Sequence, residues 1–145
     1  MAFQRRPKRQ SKALDDSFRL LGARDRSVSE IRSRLKRKQH TAEEIDETIE
    51  KLERLRLVDD EKFARAFISA KLKKYWGPLK LRMKMAELGL APKLIEESLK
   101  EVDWMAALKT AKESLKDKYE GDKLKLKLVR LGFLHSQING ETKDD

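Results

Sequence analysis

The sequence predicts an all-α fold, an elongated array of three tandem three-helix repeats. Three observations predict it. Charged residues make up 41% of the chain and aromatics 6%, a composition of solvated helices rather than of a β-sandwich. Apolar residues recur at helical spacing between recognisable start and stop signals. The pattern also returns. A shift of 50 residues lays Ile31 on Leu81, Leu35 on Met85, His40 on Leu90, Ile45 on Ile95 and Ile49 on Leu99. A further shift of 43 lays Leu81 on Leu124, Met85 on Leu128, Gly89 on Gly132, Leu90 on Phe133 and Ile95 on Ile138. Units of this size hold too little core alone and gain the rest by stacking.

In chain order, residues 1–12 form a basic, Pro-containing segment with Arg5, Arg6, Lys8, Arg9 and Lys12 and no acid, read as a disordered arm. A solubilising tail and a nucleic-acid contact both fit it. Repeat one spans 13–57. Its first helix runs from about Ala13 to Arg24, with Leu14, Phe18 and Leu21 on one face. Ser27 with Glu30, and Thr41 with Glu44, are capping boxes that start the next two helices. The middle helix carries Val28, Ile31 and Leu35 inward and Arg32, Arg34, Lys36, Arg37 and Lys38 outward. The third carries Ile45, Ile49 and Leu52 inward and is acidic outside, with Glu43, Glu44, Asp46, Glu47, Glu50 and Glu53.

Repeat two spans 58–102. Asp59 and Asp60 stand immediately before a helical run, the position of a cap and first-turn pair; catalytic or metal-binding carboxylates are the competing reading. Phe63, Phe67, Ala70 and Lys71 follow at helical spacing. Trp76-Gly77-Pro78 breaks the run, and a second basic segment stops at Gly89. Residues 79–85 and 124–128 alternate apolar and basic residues in the manner of strands. The repeat register assigns them to helices, because the matching segment in repeat one has helical spacing. Leu81, Met85 and Leu88 then form a core stripe. Leu79, Met83 and Ala86 form an opposite stripe, packed on the next unit or left as a partner surface. Repeat three spans 103–139. Asp103 caps a helix to about Lys118, with Trp104, Leu108, Ala111 and Leu115 inward. Another helix runs from about Asp122 to Leu131. The last helix reads as truncated, with Asn139-Gly140 and a polar tail over 140–145.

The net charge is +10 and the pI about 9.8, which favours polyanions or acidic protein surfaces as partners. From Lys62 to Lys84 there are eight Lys or Arg and no acid. Arg32, Arg82 and Lys125 share one repeat position; Arg34, Lys84 and Lys127 share another. A solvated face and a binding ladder both fit, and recurrence in three units favours the ladder. Lys71, Lys73 and Lys74 add to it. A helix-turn-helix reading would place the acidic helix Thr41–Leu55 against phosphates, so any DNA contact is expected to be with the backbone. Trp76 beside Tyr75 caps a helix junction or stacks on a base.

There is no Cys, and His40 and His135 stand far apart, so no metal or cofactor is expected. No Gly-rich phosphate loop or Ser-His-Asp set is present, and the protein is expected not to be an enzyme. No apolar run approaches the roughly 20 residues of a membrane span. A soluble, cytoplasmic monomer is the expectation.

Leu57, Asp59-Asp60, Phe63-Ala64 and Phe67, followed by Trp76-Gly77-Pro78 with Leu81, Arg82, Leu88 and Gly89-Leu90, resemble in order and spacing the RecX family, bacterial modulators of the RecA recombinase. The resemblance runs from about Ala13 to Ile138. It implies a curved array of three three-helix repeats lying in the groove of the RecA–DNA filament. It also implies inhibition of RecA ATP hydrolysis and strand exchange, hence a role in recombination, DNA repair and the SOS response, with weak, non-specific DNA affinity. A sequence-independent DNA-binding module without a recombinase partner is the alternative. Two features depart from the family pattern: the short final helix, and Gln39-His40 where repeat one would have glycine.

Overall fold

The computed structural model describes residues 8–140, with side chains from Lys12 onward. The described residues are helical, in the order α1 (Lys8–Ala23), α2 (Val28–Arg37), α3 (Ala42–Arg54), α4 (Asp60–Leu72), α5 (Pro78–Glu87), α6 (Pro92–Lys100), α7 (Trp104–Leu115), α8 (Gly121–Arg130) and α9 (His135–Ile138). Among them there is no strand, so 79–85 and 124–128 are helix despite their alternation. The chain divides into two compact units, one ending at Phe63 and the other starting at Ala64.

In the first unit α1, α2 and α3 pack on one another. Their shared core is Ile31, Leu35, Ile45, Ile49, Leu52 and Val58, with Leu14, Leu20, Leu21 and Val28 against it. Both capping boxes form. The Ser27 hydroxyl accepts from the Glu30 N–H while the Glu30 carboxylate accepts from the Ser27 N–H; Thr41 and Glu44 do the same. Two expectations for α1 need correction. The helix starts at Lys8, so residues 8–12 are helical, and 1–7 lie outside the described residues. Phe18 is 41% exposed rather than inward, and the fully buried side is Ala13 and Ser17. At 100° per residue Phe18 stands a quarter turn from Ser17, on the margin of the stripe. The largest apolar residue was a poor guide to its centre.

The Asp59-Asp60 pair divides its work. The Asp59 carboxylate accepts from the backbone N–H groups of Glu61 and Lys62, capping α4. Asp60 Oδ1 accepts from the N–H of Val28, 2.9 Å away, and so satisfies the first turn of α2. Burial raises the Asp60 pKa; the bond from Val28 opposes that, and the nearby Asp59 and Glu30 charges add to it. Both carboxylates serve as helix caps.

In the second unit, Ala64, Ile68, Leu81, Met85, Leu90, Ile95 and Leu99 are buried. α5 packs on α6, while α7, α8 and α9 pack mutually. The latter three bury Leu108, Ala111, Leu128, Leu131, Phe133 and Ile138, and Tyr75, Trp76, Trp104, Leu115 and Leu124 pack against them. Asp103 caps α7 by accepting from the Ala106 N–H. The Trp104 indole N–H donates to the Leu99 carbonyl at 3.0 Å, and its ring meets Phe133 edge-on. α9 is a single turn. Residues 141–145 of the expected tail lie outside the described residues.

Candidate functional site

The middle helices α2, α5 and α8 carry the cations that the repeat register aligns. Each helix buries its apolar stripe, Ile31 and Leu35, Leu81 and Met85, or Leu128, and turns its basic residues outward. Arg32 and Arg34 on α2, Lys84 on α5 and Lys125 on α8 are exposed; Arg82 and Lys127 are half-buried.

Two of these cations hold ion pairs at equivalent positions. Arg32 donates through Nη1 to Asp46 on α3 at 2.7 Å. Arg82 donates through Nε and Nη2 to the two carboxylate oxygens of Glu96 on α6, at 2.6 and 3.1 Å. The arginine and its acid lie 14 residues apart in both cases. Glu96 is held below the usual carboxylate range chiefly by the Arg82 hydrogen bond, and the same bond raises the guanidinium. Each pair ties the middle helix of a repeat to its third helix. Both pairs face water, where exposed ion pairs hold weakly and open to a better partner. At the third repeat the matching residue is Asn139, which has no charge to offer Lys125. These acid partners escaped the sequence reading, although the 50-residue register that aligns Arg32 with Arg82 also aligns Asp46 with Glu96.

The remaining basic residues differ in setting. Lys84 lies 3.3 Å from Glu87 one turn on. Lys127 Nζ is 5.7 Å from the centre of the Tyr119 ring. Lys73 and Lys74 are exposed where α4 ends. Lys71 Nζ lies over Phe67 at 5.4 Å and over Trp76 at 4.9 Å, and Lys80 Nζ is 4.3 Å from the Trp76 ring centre. Trp76 also meets Phe67 edge-on. Trp76 is partly buried against the core of α7–α9, with two ammonium groups near its ring. Lys80 is the member of this cluster that spacing alone did not single out.

Residues of the central motif mostly build the chain turn. Phe63, Gly77 and Pro78 are buried; Phe67 is half-buried; Leu57 is 45% exposed. The Gly77 N–H donates to the Leu131 carbonyl at 2.6 Å, and the Leu79 N–H to the Gly132 carbonyl at 2.9 Å. A side chain on Gly77 would sit 2.4 Å from the backbone of Gly132. Gly89, at φ 82°, ends α5 in the left-handed conformation that closes a helix. Among the described residues no group of three or more His, Cys, Asp or Glu is placed to hold a metal. No helix there is long and apolar enough to cross a membrane.

The pattern of the first three-helix domain of RecX matches residues 13–52, and that of the second matches 59–99. The regulatory protein RecX of Chlorobium phaeobacteroides (strain BS1) is 36% identical over 140 residues, covering 92% of each chain. That of Prosthecochloris aestuarii (strain DSM 271 / SK 413) is 36% identical over 141 residues, covering 92% of this chain and 93% of its own. The fold is similar to the crystal structure of RecX from Lactobacillus salivarius, with a TM-score of 0.79 at 22% identity over 92% of this chain and 94% of that one. With both domain patterns matched and identity sustained over nearly the full length of its relatives, the chain belongs to the RecX family of regulatory proteins.

Proposed function

We propose that this protein binds the RecA–DNA filament and lowers RecA ATP hydrolysis and strand exchange, without chemistry of its own. One observation carries the reading beyond family membership. Equivalent positions on three helices carry exposed or half-buried cations, and of the exposed acids of α3 Asp46 lies against Arg32. A filament repeats along its length, and a ligand with repeated cationic positions suits a repeated anionic lattice. A protein spanning adjacent protomers can lock them against the motion that ATP turnover requires, or favour their disassembly. The contacts assigned to this binding are Arg32, Arg34, Lys71, Lys73, Lys74, Arg82, Lys84, Lys125 and Lys127, to acidic filament surface, DNA phosphates, or both.

The second reading is a sequence-independent DNA-binding module. It draws on the same cations, and the exposed acids of α3 speak against major-groove entry under either reading. Charge reversal separates the two. With Arg82→Glu/Lys84→Glu, inhibition of RecA ATPase on saturating single-stranded DNA is expected to fall by about tenfold or more, loss of two charged contacts at a partner surface being worth at least that. Loss of naked-DNA affinity alone, with inhibition per bound molecule intact, would favour the module. In that case the log–log salt slope shrinks by about 0.9 for each lost phosphate contact on duplex DNA.

A further inference from the structure

Met83 on α5 is 62% exposed and Leu126 on α8 is 51% exposed. A single exposed apolar side chain is ordinary on a protein surface. These two occupy the same repeat position, 43 residues apart, and each stands between two cations: Arg82-Met83-Lys84 and Lys125-Leu126-Lys127. Leu79, one turn before Met83, is also exposed, at 43%. Position 83 lies about 200° round the helix from Leu81, so it points away from its own core. The fold does not demand an apolar residue there. On α2 the same position is Ser33, exposed between Arg32 and Arg34.

This internal comparison separates two surface chemistries on helices of one design. The α2 face is polar and cationic throughout, which suits phosphate oxygens. A methionine or leucine gains nothing against a phosphate backbone, which is contacted by charge and hydrogen bonds. It gains where water is expelled, at the apolar centre of a protein contact whose rim carries charge. We propose that Arg82-Met83-Lys84 and Lys125-Leu126-Lys127 are two copies of one docking element. Each seats its apolar residue in a depression of an acidic protein surface while its cations meet carboxylates at the rim. The corresponding turn of α2 lacks this role. The inference rests on the filament reading above and places the contact on the protein lattice rather than on its nucleic acid.

The test uses the full chain and Met83→Ser/Leu126→Ser, which installs at both sites the residue α2 carries. Both side chains are exposed, and a thermal melt checks that the variant folds like the parent. Binding is measured to a RecA filament assembled on single-stranded DNA with a non-hydrolysable ATP analogue, and to the same DNA without RecA. The variant is expected to bind the filament about tenfold or more weakly, since two apolar anchors are lost, and to bind naked DNA within about twofold of the parent. Met83→Leu/Leu126→Met keeps the apolar character and is expected to retain filament affinity. Unchanged filament binding by the serine variant overturns the inference and leaves the functional reading standing, as does an equal loss on naked DNA. A parent protein that does not bind the filament overturns both.

Discussion

Gln39 holds its backbone at φ 70°, in the left-handed region, and so do its repeat counterparts Gly89 at 82° and Gly132 at 106°. All three close a middle helix: the N–H one residue on returns to a carbonyl five residues back, His40 to Leu35, Leu90 to Met85 and Phe133 to Leu128. Only repeat one bears a Cβ there. Gln39→Gly is therefore expected to stabilise the protein by about 1 kcal/mol, seen as a higher urea midpoint at unchanged slope. Beside it, His40 Nε2 donates to Asp16 Oδ2 at 2.8 Å, while Arg19 donates to Oδ1 at 2.7 Å and Lys38 Nζ lies 3.7 Å away. Asp16 is 5% exposed, and the His40 bond is the foremost reason its pKa lies below the usual value, ahead of burial acting the other way and of Arg19 and Lys38. A carboxylate depressed in this way stabilises the fold fully above the unfolded value of about 3.9 and loses that contribution as pH falls through the lower folded value. Asp16→Asn is expected to cost about 1.5–3 kcal/mol at pH 7, the range for a hydrogen bond to a charged group. Below about pH 4 its stability should fall less steeply with acid than the parent's. Denaturant titrations at a series of pH values check both points. The geometry of this cluster was not visible in the sequence, since Asp16 and His40 are 24 residues apart and meet only when α1 lies along α2.

Elements begin and end where their local chemistry dictates, and that part was legible. Ser27, Thr41 and Asp103 cap as their spacing demands, and the apolar stripes of α2, α3 and α7 face inward as read. The strand-like alternation of 79–85 was a weaker guide than its repeat alignment, because in α5 both sides of the helix carry apolar residues and only Leu81 and Met85 are fully buried. Trp76-Gly77-Pro78 looked like punctuation, and Pro78 does start α5 with Gly77 as its N-cap. What spacing could not show is the approach of Gly77 to Gly132, backbone against backbone, where the end of α8 meets the start of α5. Gly77→Ala is expected to cost about 1–3 kcal/mol, because the neighbours a Cβ would meet are main-chain atoms of Gly132 and Phe133, which cannot swing aside. A drop in melting temperature measures it, and a variant as stable as the parent would show that α5 and α8 separate without penalty.

Across the whole chain, the net charge of +10 favours anionic partners. The proposed filament contact should therefore weaken as salt rises, and Arg82→Glu/Lys84→Glu should flatten that dependence; a salt response identical to the parent's would count against these two cations. Met83→Ser/Leu126→Ser removes no charge and should leave the slope as it is. The two double variants thus test the cationic and apolar parts of one surface separately.

The sequence by itself determined the helical class, the repeat register, the caps and the family, because helix periodicity, capping and turn chemistry act over a few residues. Tertiary structure alone decided which cations hold ion pairs, which aspartate caps a distant helix, and which apolar residues stay in water. Those outcomes depend on side chains far apart in the chain arriving within about 3–4 Å of one another, a distance that no local pattern encodes.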